Sequence, residues 1–363
     1  MKKKIVHFIF NLGRGGAETM LVRVIKELNE YENVVVTLFP LDHFGKELQC
    51  DKLICLNLRS LFSLPFSVFR FRRLIKAEKP DIVHTHLFWP TVIARLAVPQ
   101  KIPLVTTIHA FIATSVEYKY WYIRLLDKLT YRYRKSIIIV VAKGALKEYF
   151  SFLHLRPYKA YALYTFVDIS RFDLGHAKPK EANSVFRIVS VGALRTQKNY
   201  AYLIKAMGLL KKEGIELHIY GTGNLKTQLQ QQVTESGAAV VLKGEVNNIE
   251  EIIPQYDLYI MSSSFEGFSL SVLEAMAMGM PLLLSDIPSF REQCEGIAEY
   301  FSLTDVNDLA GKIAGFSKKP PAELTAIGET ARQKVINNFT LEQHLAGLRD
   351  IYTAALEDSG STA

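Results

Sequence analysis

The chain has 363 residues, 49% hydrophobic and 22% charged. That is the composition of a globular protein with enough length for two cores of ordinary size. No apolar run approaches the roughly 18 residues of a bilayer-spanning helix, and Cys50, Cys55 and Cys294 lack metal-site or disulfide-framework spacing. The net charge of +8 is uneven: residues 1–180 hold 29 Lys and Arg against 14 Asp and Glu, residues 181–363 hold 15 against 22. The basic half would suit nucleic acid, an anionic membrane surface or a phosphorylated acceptor.

The start, MKKKIVHFIF, is basic then apolar, but too short in its apolar part for a signal peptide. It predicts a first buried strand, Ile5 to Phe10, and a cytoplasmic protein. A helix from Ala17 to Asn29 follows, with Met20, Leu21, Val24, Ile25 and Leu28 on one face, then strands at Val34–Leu38, Ile82–His84, Leu104–Ile108 and Ile137–Val141. Short β-branched strands separated by helices imply a parallel sheet covered on both faces. The polar stretch Gly175–Ser184 reads as a linker. The same alternation restarts after it: strand Phe186–Val191, helix Tyr200–Lys211, strand Glu216–Tyr220, helix Asn224–Ser236, and strands Val240–Leu242, Leu258–Met261 and Pro281–Leu284. The expected domains are 1–178 and 184–339, with a terminal amphipathic helix from about 340 to 363. Two doubly wound α/β domains facing a cleft are the simplest arrangement, with ligands at the carboxyl ends of strands.

Several motifs sit at such ends. Gly15 and Gly16 follow the first strand and open a helix, where amides meet phosphate; Glu18 stands where a dinucleotide fingerprint wants its third glycine. His84 and His86 flank a strand end without a third histidine to make a metal set, and His109 follows the next strand. Arg195 and Lys198 in VGALRTQKN could face phosphates, Arg as a fork and Lys as a point charge. Gly221 and Gly223 make a turn after a strand, and Lys243 lies in VLKGE. In FEGFSLSVLEAMAMGMP, Ser269 or Ser271 can cap a helix that Gly279 and Pro281 stop, which places Glu266 in the entry loop and Glu274 in the helix. Eight helical residues span roughly 12 Å, too far for two carboxylates to work on one bond. The amides of Phe268, Ser269, Leu270 and Ser271 between them would favour a phosphate. The aromatic and basic segments Tyr118–Lys135 and Phe69–Lys76 suit an anionic bilayer or acceptor, or the basic outer face of an amphipathic core helix; nucleic acid would give a similar composition, but no nucleic-acid-binding motif accompanies them and no nucleic acid is expected as a partner.

In this order the motifs resemble those of family 4 retaining glycosyltransferases, whose fold is GT-B: two Rossmann-like domains, with the last helix crossing back to the first. The resemblance covers nearly the whole chain. It implies that Glu266 and His109 act near the transferred sugar and that Glu274 holds the ribose. It also implies that Gly15 and Gly16 close over the donor diphosphate, that Gly221 and Gly223 lie beside the donor, and that the stretch holding Lys243 reads the base. The family usually has arginine directly after the glycine of the VGALRTQKN loop; here Ala193 stands there and Arg195 follows two residues on. No Asp-x-Asp occurs, so leaving-group charge is expected to fall to Lys198, Arg195 and helix dipoles, with no metal and no cofactor. The implied donor is a nucleotide sugar, a UDP-sugar first and a GDP-sugar second. The implied acceptor is a saccharide or lipid-linked saccharide of bacterial surface polysaccharide, met at the inner face of the cell membrane. A nucleotide-sugar epimerase of the same fold and a non-catalytic nucleotide-sugar or polyanion binder are the other readings.

Overall fold

The computed structural model describes residues 2–13, 15–58, 63–113, 117–176 and 185–360. The chain forms two compact units, Met1–Thr165 with Glu342–Ala363, and Phe166–Leu341. In the first, strands β1 (Lys3–Ile9), β2 (Tyr31–Thr37), β3 (Lys52–Cys55), β4 (Ile82–His86), β5 (Leu104–Ile108), β6 (Ile137–Val140) and β7 (Lys159–Ala162) form a parallel sheet in the order β3-β2-β1-β4-β5-β6-β7. Helices α1 (Gly16–Glu27), α2 (Leu64–Glu78), α3 (Phe88–Ala97), α4 (Trp121–Tyr133) and α5 (Lys143–Phe152) connect them. Every residue of β4 and β6 is buried, as strands covered on both faces require. The short edge strands β3 and β7, absent from the sequence expectation, bury none of their residues fully.

The second unit repeats the plan. Strands β8 (Phe186–Val191), β9 (Ile215–Tyr220), β10 (Val240–Gly244), β11 (Leu258–Met261), β12 (Leu282–Ser285) and β13 (Glu299–Phe301) pair in parallel in the order β10-β9-β8-β11-β12-β13. The helices are α6 (Tyr200–Met207), α7 (Lys226–Ser236), α8 (Ile249–Ile252), α9 (Leu270–Ala277), α10 (Pro288–Cys294), α11 (Val306–Ser317) and α12 (Pro321–Asn338). The expected helix to Lys211 stops at Met207, because the amides of Leu209 and Leu210 bond three residues back in a tightened turn. Helix α12 meets the end of α9 backbone to backbone: a Cβ on Gly328 would lie 1.7 Å from the Gly279 carbonyl oxygen. Arg332 of α12 also donates to the Ala277 carbonyl at that helix end.

Residues 166–176 pack on the second unit, so the break falls earlier than the boundary expected at 178. Val167 N–H donates to Phe339 O at 3.0 Å, and Arg332 Nη1 to Phe172 O at 3.1 Å. Such ties leave no periodic pattern in the sequence. Residues 177–184 of the expected linker lie outside the described residues.

Helix α13 (Leu341–Gly360) returns to the first unit and buries Leu345, Leu348, Ile351, Tyr352 and Ala355 along one face. Tyr352 is fully buried, its hydroxyl 2.7 Å from His84 Nδ1, and His344 Nδ1 donates to Tyr164 O at 2.7 Å. Replacing Tyr352 by Phe strands a buried imidazole nitrogen. Urea unfolding is expected to show a loss of about 1–3 kcal/mol; an unchanged midpoint would show that water replaces the hydroxyl.

Candidate active site

In a doubly wound sheet the ligand crevice opens where the strand order reverses. In the second unit that point lies between β8 and β11, and the loops leaving these two strands carry Lys198 and Glu266. The structure brings them together, with Lys198 Nζ 2.7 Å from Glu266 Oε1 and both side chains largely buried. Glu266 also accepts from Ser263 Oγ at 2.6 Å and Gln197 Nε2 at 3.2 Å. Gln197 donates to Phe265 O at 2.9 Å as well, and its own carbonyl takes the Ser264 N–H at 2.8 Å, stapling the two loops together. Ser263 and Gln197 were missed in the sequence because a lone serine or glutamine carries no spacing signal. Lys198 ends a single 3₁₀ turn, and Asn199 in the left-handed region separates it from α6. Arg195 is exposed and makes no side-chain bond among the described residues.

Helix α9 starts at Leu270 with Ser269 as its N-cap residue, so only half of the eight-residue step from Glu266 to Glu274 is helical. The Ser269 N–H, expected to be open to a phosphate, is not free. Gln293 of α10 is fully buried, accepts that N–H at 3.0 Å and donates to Ser269 O at 2.9 Å, because a buried amide needs both its donor and its acceptor satisfied. Phe268 is buried, edge-on to Phe339. Leu270 and Ser271, the first two helical residues, present amides that no helix carbonyl can take. Glu274 is half-buried. It acts electrostatically on Arg171, whose guanidinium is held above its ordinary value first by Glu250, 2.8 Å away, and further by Glu274.

The Gly221–Gly223 turn has a packing reason. A Cβ on Gly221 would sit 2.1 Å from Gly192 O, and one on Gly223 2.4 Å from Leu194 O. The turn therefore lies flat against the loop that leads to Lys198, with Leu194 N–H donating to Thr222 O at 2.9 Å. Lys243, near the end of β10, is exposed; the next residue, Gly244, accepts the Gly221 N–H at 2.7 Å.

In the first unit the strand order reverses between β1 and β4. Gly15 is the N-cap of α1 and Gly16 its first residue. His86 ends β4 and His109 follows β5, with His86 Nδ1 3.2 Å from His109 Nε2. Burial first, and the neighbouring His344 second, push His109 down to about 3, so its imidazole is neutral and hydrogen-bonds rather than carrying charge. His7 of β1 is the third histidine the sequence did not group with His84 and His86; one ring nitrogen of each lies within 4.8 Å of the others. His7 Nε2 donates to Asn33 Oδ1 at 3.0 Å, and among the described residues neither His7 Nδ1 nor His86 Nε2 has a partner. Both nitrogens of His84 are engaged, by Tyr352 and Thr107 hydroxyls at 2.7 Å, so the trio could ligate a metal only if His84 released one of them.

Comparison with known proteins agrees with both units. Residues 14–171 match the model described as Glycosyltransferase Family 4, and residues 173–334 the model described as Glycosyl transferases group 1. The chain is 28% identical to the N-acetylgalactosamine-N,N'-diacetylbacillosaminyl-diphospho-undecaprenol 4-alpha-N-acetylgalactosaminyltransferase of Campylobacter jejuni, over 84% of this chain and 87% of the relative. It is 26% identical to the UDP-Gal:alpha-D-GlcNAc-diphosphoundecaprenol alpha-1,3-galactosyltransferase of Escherichia coli, over 82% and 81%. Among solved structures, HepE of Anabaena in complex with UDP and glucose superposes with a TM-score of 0.81 at 16% identity, covering 97% of this chain and 100% of that one; this likeness shows the fold, GT-B. With the two family matches together spanning nearly its whole length, the chain belongs to the family 4 glycosyltransferases.

Proposed function

We propose that the protein is a retaining glycosyltransferase that moves a sugar from a nucleotide-sugar donor, a UDP-sugar before a GDP-sugar, to a lipid-linked saccharide in bacterial surface-polysaccharide synthesis. The observation that carries this reading is the Lys198–Glu266 pair at the strand-order reversal of the second unit. The acceptor class follows the undecaprenyl-diphosphate saccharides named for the Campylobacter and Escherichia relatives, and the UDP preference follows the ligand named for the HepE structure.

In this reading Lys198, Arg195 and the Leu270 and Ser271 amides meet the charge that develops on the departing diphosphate. Glu266 faces the sugar carbon as positive charge grows there, and Glu274 takes the ribose hydroxyls. Phe268 and Ser269 shape the entry to α9, Gly221 and Gly223 let the loop beside the donor lie flat, and the β10 end near Lys243 reads the base. His109 bonds a sugar hydroxyl, and the Gly15–Gly16 turn offers amides to phosphate. The acceptor oxygen forms its bond to the anomeric carbon on the face from which the phosphate oxygen leaves. That same-face exchange retains the configuration, and the acceptor's proton passes to the leaving oxygen.

No helix among the described residues is long and apolar enough to cross a membrane. Contact with an anionic membrane is assigned to the aromatic and basic surface of α2 and α4, where Phe66, Phe69 and Trp121 are each about 70% exposed.

The test is nucleotide release from UDP-, GDP- and ADP-sugars with and without an undecaprenyl-diphosphate disaccharide. Release that requires the acceptor, and that persists in excess chelator, is expected. A new nucleotide sugar formed without acceptor would identify an epimerase; neither release nor conversion across the panel would leave a binding protein.

A further inference from the structure

Helix α4 is turned against the usual sense of an amphipathic helix. Its buried side carries Asp127 and Thr130 with Ile123 and Tyr131. Asp127 pairs there with Arg95 of α3, both side chains almost wholly buried, and accepts from the Tyr118 and Tyr149 hydroxyls at 2.5 and 3.0 Å. The outer side carries Trp121, Leu125, Leu129 and Tyr133, which are 73%, 44%, 52% and 68% exposed. Spaced by four residues, they form one apolar stripe along the helix. Arg124, Lys128 and Arg132 repeat at the same spacing beside it.

A pocket of about 420 Å³ opens where α4 ends, at the amino ends of β5 and β6, the opposite end of the sheet from His86 and His109. Its charged lining is Lys101, Arg132, Arg134, Lys135 and Asp358, and Asp358 is ion-paired with Lys159. Arg134 is 5% exposed, and among the described residues its Nη groups donate only to the neutral acceptors Gln100 O, Gln100 Oε1 and Ile102 O. Its Nε–H has no partner among the described residues. Burial pulls this guanidinium below its ordinary value, and no carboxylate contributes to holding it up. A buried cation lacking a counter-charge beneath three exposed basic side chains is an unmatched positive site. Phosphate supplies the missing charge, and the exposed Arg132 of the same lining has a guanidinium fork to meet it.

We propose that this pocket binds the phosphodiester headgroup of an anionic phospholipid while the Trp121–Tyr133 stripe lies at the boundary of headgroups and acyl chains. A lipid rather than nucleic acid is favoured because pocket and stripe are continuous: Tyr133 belongs to both. The inference rests on the membrane contact proposed above and adds a discrete site to it.

The experiment is co-sedimentation of the full-length protein with phosphatidylcholine vesicles, with and without phosphatidylglycerol. The exposed triple variant Lys101→Gln/Arg132→Gln/Lys135→Gln is expected to lose the preference for phosphatidylglycerol by about 10²-fold. Arg134→Gln, checked for unchanged unfolding, should lose it too. The charge-matched control Lys26→Gln/Lys46→Gln/Lys79→Gln should keep it. Trp121→Ser/Leu129→Ser should weaken binding to both kinds of vesicle. Equal losses in the triple variant and its control would reduce the site to diffuse charge and overturn the proposal. So would full competition by millimolar inorganic phosphate, or equal retention of a single-stranded oligonucleotide. If the stripe variant weakens binding and the pocket variants do not, membrane contact stands and the headgroup site falls. If the parent binds no vesicles, both fall.

Discussion

Lys198→Ala and Glu266→Ala are each expected to lower turnover by on the order of 10²–10³ with donor and acceptor saturating. The two groups neutralise each other in the ligand-free site, where Lys198 Nζ and Glu266 Oε1 are 2.7 Å apart. In the proposed mechanism a donor diphosphate entering beside Lys198 would compete for that ammonium and leave Glu266 to Ser263 and Gln197, which already hold both its oxygens. Removing one partner strands the other in a poorly solvated place, so each single variant is also expected to lose up to about 3 kcal/mol of stability. That coupling makes a purely structural explanation testable. The double variant Lys198→Met/Glu266→Leu removes both charges and is expected to recover most of the stability while remaining inactive. Parent-like turnover in either single variant, measured as acceptor-dependent nucleotide release, would move the chemistry elsewhere.

Acid is expected to unfold the first unit well above the pH at which its carboxylates titrate. His7 and His344 are buried and neutral, each pushed down to about 4 by desolvation, and His84, His86 and His109 beside them are lowered as well. In the unfolded chain each recovers its ordinary value near 6.5. Above that pH both states are neutral and these groups contribute nothing to the difference. As pH falls through 6.5 the unfolded chain takes up protons that the folded chain refuses, so stability declines until the folded value is reached. For His7 and His344 alone the loss at pH 4 is roughly 3 kcal/mol each. Urea midpoints followed from pH 7.5 to 4.5 should fall steeply in the parent and less so in a His7→Gln variant. A flat profile would mean that the imidazoles are solvated or already charged.

Much of the fold was legible because its strands are apolar and β-branched; β8 and β11 begin and end where the sequence placed them. The edge strands β3 and β7 were not, since KLIC and KAYA bury too little to leave a pattern. The candidate site was legible where charge and glycine mark a loop, as at Lys198, Glu266 and the Gly221–Gly223 turn. It was illegible where neutral amides do the holding. Gln197 and Gln293 meet partners 68 to 69 and 24 residues away, a separation no local pattern encodes. Helix α4 shows the opposite failure: its aromatic and basic residues were visible, but only the Arg95–Asp127 pair reveals that Asp127 turns inward while Trp121, Leu125, Leu129 and Tyr133 turn outward.

The contact between Gly328 and Gly279 sets a limit on how such a protein can diversify. Backbone rests on backbone there, and a single methyl group on Gly328 would displace the end of the helix that carries Glu274. If Glu274 holds the donor as proposed, that helix cannot slide or tilt to suit a larger sugar or a different base while the two glycines stay in contact. New donor preferences must therefore come from exchanging side chains on a stationary frame, and engineering of donor choice should begin with the loops after β8, β9 and β11 and leave Gly279 and Gly328 untouched.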